Sequence, residues 1–263
     1  MPPKQLLTAK AVHPRNRAMN DLTKPWPLGL DSRRWPLFCL GVVLGLALLS
    51  QLDVWASRGS IGWPDQWRAP FFFITDYGLS DWILIPSLLV LVIAVLAMLF
   101  LRRLPRLVAY EIVLVSGFVF LGVAIPGLIA NLLKRLFGRG RPEEFADVGA
   151  FFFRAFSNDW QYQSFPSGHS TTAIALAFVV GFLRPGLFPL FFAIGLLVSL
   201  SRVPVGMHYP TDVFGGLVVG TLGAYLIRNL FARRGWLFVT RPDGRIVARP
   251  LVAVRRTLQR ARA

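Results

Sequence analysis

LVAYEIVLVSGFVFLGVAIPGLIANLL, from Leu107 to Leu133, carries one charged residue, Glu111, and lies between the basic turn Arg102-Arg103-Leu104-Pro105-Arg106 and the pair Lys134-Arg135. A helix needs about 20 apolar residues to cross the hydrocarbon core of a bilayer, and basic residues gather at its ends. This stretch therefore reads as a membrane-spanning helix. Five further apolar runs flank it, at Trp35–Trp55, Trp82–Leu101, Thr171–Leu183, Leu187–Leu200 and Val213–Leu226. The last three fall short of a full span, and reach it if their flanking residues continue the helix to the membrane surface; shorter buried helices are the alternative. The expected fold is all-α, an integral membrane bundle of six transmembrane helices.

Composition agrees. Of the 263 residues, 54% are hydrophobic, yet the net charge is +16. A nucleic-acid binder could share the basic balance, but it would not carry bilayer-length apolar segments, so no nucleic-acid partner is expected. With the N-terminus inside, 21 of the 29 Lys and Arg fall on the inner side, the asymmetry that sets orientation. The long outer loops hold most of the acids, including Asp53, Asp65, Asp76, Glu143, Glu144 and Asp147. Both termini are thus expected in the cytoplasm. Residues 1–34 form a basic tail without the apolar core of a secretory signal, residues 35–228 the membrane domain, and residues 229–263 a second basic tail. In that second tail, Pro242-Asp243-Gly244 between two β-prone runs is a turn signal. A small hairpin or a basic strip on anionic lipid heads fits equally. The lone cysteine, Cys39, sits in the first apolar run and rules out a disulfide framework.

Three polar clusters border the third to sixth segments, and alternating helix directions bring all three to the outer side. They are Lys134-Arg-Leu-Phe-Gly-Arg-Gly-Arg141-Pro142, Pro166-Ser167-Gly168-His169, and Ser201-Arg202-Val-Pro-Val-Gly-Met-His208-Tyr-Pro-Thr-Asp212. Lys134, Arg141 and Arg202 supply three cations, and the arginine fork can hold two oxygens at once. Ser167 and Gly168 stand where a helix begins, so free N–H groups and the helix dipole make an anion site there. Such a set suits phosphoryl transfer, in which catalysis is mostly positioning and electrostatics. With three cations neutralising the phosphate, no metal is needed, although Glu143, Glu144 and Asp147 could in principle hold one. Of the three histidines, only His13 lies outside these motifs.

The order and spacing resemble the type 2 phosphatidic acid phosphatase superfamily, which includes the vanadium haloperoxidases. Its pattern of Lys-x6-Arg-Pro, Pro-Ser-Gly-His and Ser-Arg-x5-His-x3-Asp is met at every position, over about residues 107–228. The resemblance implies a lipid phosphate as substrate, no cofactor, and a catalytic core in that range. It also implies that His208 is the nucleophile and His169 the acid for the leaving group, then the base for water. Pro210 suits the first position of a helix. Asp212 then falls in the first turn, within reach of one imidazole nitrogen of His208, where it fixes the tautomer. Lys134, Arg141, Ser167, Gly168 and Arg202 are the residues expected to bind the phosphate.

The expected activity is metal-independent hydrolysis of a lipid monophosphate or pyrophosphate at the outer face of a bacterial-type inner membrane. Undecaprenyl pyrophosphate, phosphatidylglycerol phosphate and phosphatidic acid are the candidate substrates. A lipid A phosphatase or phosphotransferase is the near alternative. A haloperoxidase is disfavoured by the membrane segments, and a non-catalytic lipid binder by the complete motif set. The aromatic loop Glu143–Phe165 reads either as packing against the bilayer or as a lid over the lipid chain, with Arg154 or Gln161 meeting a head group. Glu111 reads as interfacial or helix-pairing.

Overall fold

A computed structural model describes residues 21–30 and 33–261. Most of the expected N-terminal tail, with His13, lies outside the described residues. The helices are α1 (Trp35–Ile61), α2 (Asp65–Asp76), α3 (Asp81–Phe100), α4 (Arg103–Phe137), α5 (Phe145–Val148), α6 (Gly168–Leu183), α7 (Phe188–Ser201), α8 (Pro210–Arg233) and α9 (Val252–Arg260). All six apolar runs are helical. Four stretches are long and apolar enough to cross a membrane: Trp35–Ala56, Asp65–Phe100, Arg103–Phe137 and Pro210–Arg233.

The runs forming α6 and α7 remain short, at 16 and 14 residues. Their surroundings explain why an apolar sequence suffices there. Helix α6 packs against α4, α7 and α8 and buries Ile174, Ala175 and Val179 completely. A helix apolar on every side belongs either in lipid or in a protein core, and α6 is a core helix. The opposite holds for α1 and α3, whose Leu48, Trp55, Ile85 and Leu99 stay exposed in the manner of a lipid-facing surface. Close approach of α8 to α6 depends on Gly216 and Gly220. A Cβ on either would come within 2.6 Å of the Ser167 carbonyl or 2.5 Å of the Thr171 carbonyl, the small-residue contact by which membrane helices pack.

At the bundle end opposite the polar clusters, the chain is more structured than two tails. Arg228, buried on α8, donates from Nη2 to the carbonyls of Lys24 (2.6 Å) and Pro25 (2.8 Å), and Asn229 Nδ2 donates to Pro25 (2.8 Å). Strands β1 (Phe238–Thr240) and β2 (Ile246–Ala248) pair antiparallel around the Asp243-Gly244 turn. Ile246 N–H donates to the Thr23 carbonyl at 2.7 Å. Residues 21–29 and 229–261 are therefore packed against the bundle, and the fold is mostly helical with a two-stranded sheet, not wholly α. Glu111 pairs elements here: its two carboxylate oxygens accept from Ala253 N and Val254 N, both at 2.9 Å, capping the first turn of α9.

Candidate active site

The chain leaves α4 through Gly138, whose φ of +63° lies in the left-handed region. Any side chain there would strike the Arg154 carbonyl, 1.6 Å from an ideal Cβ. The reversal directs residues 139–141 alongside 152–154, with Gly140 N donating to Phe152 O (3.1 Å) and Arg154 N to Gly138 O (2.7 Å). Three residues after Gly138, Arg141 joins Lys134 on the wall of one pocket. Helix α6 starts at Gly168 with Ser167 as its N-cap. Helix α8 starts at Pro210, which places Asp212 in its first turn as the sequence implies.

The pocket encloses about 580 Å³ and is lined by Lys134, Arg141, Gly168, His169, Arg202 and His208. Its other wall is apolar, formed by Leu79, Leu84, Val123 and Leu128 of α3, α4 and the turn before α3. The cations are held by neutral oxygens, two by carbonyl groups and one by a hydroxyl, so none of the three is consumed in an ion pair among the described residues. Lys134 Nζ donates to Gln163 O (3.2 Å), and Arg141 donates to Trp160 O (3.0 Å) and Met207 O (3.3 Å). Arg202 donates from Nη1 to Thr75 Oγ1 (2.6 Å), while its buried Nε has no partner among the described residues. An oxyanion would satisfy that donor. Burial depresses the Arg141 and Arg202 guanidiniums to about 10, and both stay charged at neutral pH.

Ser167 does not line the pocket. It is fully buried, its Oγ accepts from Ser170 N (3.4 Å), and its own N–H donates to the Asp212 carbonyl (2.9 Å). Its part is to start α6 and tie it to α8. The first-turn N–H groups available to an anion are those of Gly168 and His169.

His208 has Nδ1 3.5 Å from Asp212 Oδ2 and 3.5 Å from Ser164 Oγ, which leaves Nε2 for the pocket. Asp212, also fully buried, accepts from Ser164 Oγ (2.5 Å) and Tyr209 N (2.9 Å) on Oδ2 and from Arg139 Nη1 (2.6 Å) on Oδ1. Burial holds His208 well below the ordinary imidazole range, and the facing cations Lys134, Arg141 and Arg202 act in the same direction. The imidazole is therefore neutral, with a free lone pair. This has a consequence for stability. The unfolded imidazole takes a proton below about pH 6.5 and the native one does not, so stability is complete above that pH and is lost as pH falls. One such group contributes at most about 1.4 kcal/mol per pH unit. The fall in Tm between pH 7 and 5 in detergent should shrink in His208→Asn; an unchanged fall would mean that His208 titrates normally.

Several groups were not legible as site residues. Arg139, inside the first cluster, Ser164 and Thr75 are among them. Asp53, expected in an outer loop, lies in α1, fully buried, and bonds Arg139 and Thr211. One acid within an apolar run was the available signal. Helix α2, read as loop, supports the Arg202–His208 segment: Arg68 donates to Pro204 O (3.1 Å) and Val205 O (3.0 Å). Of the aromatic loop, Trp160 reaches the pocket and stacks on Arg141 at 3.8 Å. Arg154 and Gln161 do not line it: Arg154 lies over Tyr162, and Gln161 donates to Glu144 (2.7 Å).

The PAP2 superfamily pattern matches residues 115–236. A lipid A 1-phosphatase from Rhizobium johnstonii is 36% identical over 225 residues, 85% of this chain and 92% of the relative. One from Rhizobium etli is 35% identical over 219 residues, 83% and 94% respectively. A crystal structure of a transmembrane PAP2 type phosphatidylglycerolphosphate phosphatase from Bacillus subtilis aligns with a TM-score of 0.48 at 23% identity, covering 74% of this chain and 96% of that one. With the family pattern over the site-bearing helices and near full-length identity to these relatives, the chain belongs to the PAP2 superfamily.

Proposed function

We propose that the protein is a lipid phosphate phosphatase of the lipid A 1-phosphatase kind, acting through a phosphohistidine. The observation that carries the reaction class is the pocket itself. Three cations, two imidazoles and the start of α6 adjoin an apolar wall of Leu79, Leu84, Val123 and Leu128, which suits a phosphate on a lipid. The glycolipid substrate is supported by the near full-length likeness to two lipid A 1-phosphatases.

In this reading His208 Nε2 attacks phosphorus while the bond to the lipid oxygen breaks and His169 gives that oxygen a proton. His169 then takes a proton from water, water attacks phosphorus, and the P–N bond breaks to release phosphate. Lys134, Arg141, Arg202 and the Gly168–His169 N–H groups hold the equatorial oxygens, where charge accumulates. Six spans, cytoplasmic termini and a site at the outer face of the inner membrane complete the proposal. The excess of Lys and Arg at the end bearing α9 supports that orientation.

Phosphate release by purified protein in EDTA tests the reading. The panel is lipid A, undecaprenyl pyrophosphate, phosphatidylglycerol phosphate, phosphatidic acid and glycerol phosphate, at fixed surface concentration in detergent. Lipid A is expected to give the highest kcat/KM and glycerol phosphate the lowest. Equal rates on the last and the lipids reject a lipid enzyme, and a strict need for added Mg²⁺ rejects the metal-free mechanism. For orientation, Cys39→Ser protein with one cysteine at Phe156, which is 79% exposed, should react with an impermeant thiol reagent on intact spheroplasts. A cysteine at Arg245 should react only after lysis; the reverse pattern puts the site in the cytoplasm.

A further inference from the structure

A buried cluster of three charged groups, Arg139, Asp53 and Asp212, lies behind the pocket and not in it. Arg139 is 2% exposed, and Asp53 and Asp212 have no exposure at all. The single guanidinium is shared: Nη2 meets Asp53 Oδ2 at 2.8 Å and Nη1 meets Asp212 Oδ1 at 2.6 Å. Asp53 also accepts from both donors of Thr211, the N–H at 3.0 Å and Oγ1 at 2.6 Å, and so grips the first turn of α8 beside Asp212. Arg139 is closed in by Ala150 O, which accepts from Nε (3.1 Å) and Nη2 (2.8 Å), and by the Tyr209 ring at 4.3 Å. Asp53 does not line the pocket, and neither does any other residue of α1.

A buried ion pair is a weak source of stability, because desolvating the charges offsets most of their attraction. An apolar contact would join α1 to α8 as well. What the cluster does supply is charge behind the nucleophile. Two carboxylates around one guanidinium leave a net negative charge on the Nδ1 side of His208. Lys134, Arg141, Arg202 and His169 lie on its other side. Without Asp53, Arg139 would draw on Asp212 alone and weaken its hold on the imidazole.

We infer that Asp53 is a positioning residue: by sharing Arg139 and fixing Thr211, it keeps the Asp212 carboxylate aligned against His208 as Nε2 gains the phosphoryl group. This rests on the phosphohistidine reading above. Helix α1 thereby becomes part of the reaction machinery although it touches no substrate.

The test is Asp53→Asn in detergent with EDTA, comparing turnover and two inhibitors. Vanadate takes a fifth ligand from the nucleophile and so reports on His208. Inorganic phosphate reports on the cations alone. The expected results are kcat lowered about tenfold with KM within about twofold, in line with the loss of an outer-shell partner. The vanadate inhibition constant should rise about tenfold, with that of phosphate within about twofold. Wild-type kcat in Asp53→Asn overturns the inference, and so does a parallel weakening of vanadate and phosphate, the signature of a merely structural role. Thr211→Val keeps every charge and supplies the folded comparison if Asp53→Asn does not accumulate. There a vanadate-to-phosphate ratio equal to that of wild type overturns the inference. A fully active His208→Ala, or wild type that releases no phosphate, instead defeats the phosphohistidine reading on which it rests.

Discussion

His208→Ala is expected to lose at least about a thousandfold in kcat while the protein still inserts and folds. The imidazole is the group whose Nε2 faces the pocket with its opposite nitrogen on Asp212, and no other nucleophile shares that position. Its removal leaves Lys134, Arg141 and Arg202 able to bind a phosphate but nothing to attack it, so substrate protection against heat should persist. His169→Ala should also be severely impaired, yet with a good leaving group it can still be phosphorylated. Rapid quench with labelled substrate should then trap an acid-labile phosphoenzyme in His169→Ala and none in His208→Ala. Label on any other residue would falsify the assignment.

Arg139→Met carries the second large effect, and it falls on stability first. The guanidinium is the cation between two fully buried carboxylates. Deleting it leaves Asp53 and Asp212 as uncompensated charges, a change that costs about 3–5 kcal/mol when one partner of a buried pair is lost. A lower Tm in detergent and poor accumulation in the membrane are expected. The physical cause can be separated from simple loss of packing by adding Asp53→Asn. That second change removes one stranded charge, so the double variant should be more stable than Arg139→Met alone. A double variant of lower stability than the single would show that the charge account is wrong.

The lipid A reading also bears on the aromatic loop. Phe151, Phe153 and Phe156 are exposed at the same bundle end as the site, a position suited to the interface, whereas Trp160 alone of the loop's aromatic residues forms pocket wall. Residues of this loop are thus divided between exposed positions and the pocket wall, a division that its uniform aromatic composition concealed.

What the sequence determined by itself was local. Runs such as Leu107–Leu133 specify helices because hydrocarbon requires the backbone to satisfy its own hydrogen bonds. Motif spacing specified which side chains end those helices: Gly138 turns the chain after Lys134, and Pro210 puts Asp212 one turn from His208. The tertiary structure decided what those motifs rest on. That α6 is a core helix, that Ser167 ties α6 to α8, and that Asp53 answers Arg139 from 86 residues away depend on helix packing. Helix packing pairs residues by proximity in space, with no fixed spacing along the chain. A lone acid in an apolar run signals that a partner must exist, because a buried charge left alone is too costly; only the packed bundle shows that the partner is the arginine that also holds the carboxylate beside His208.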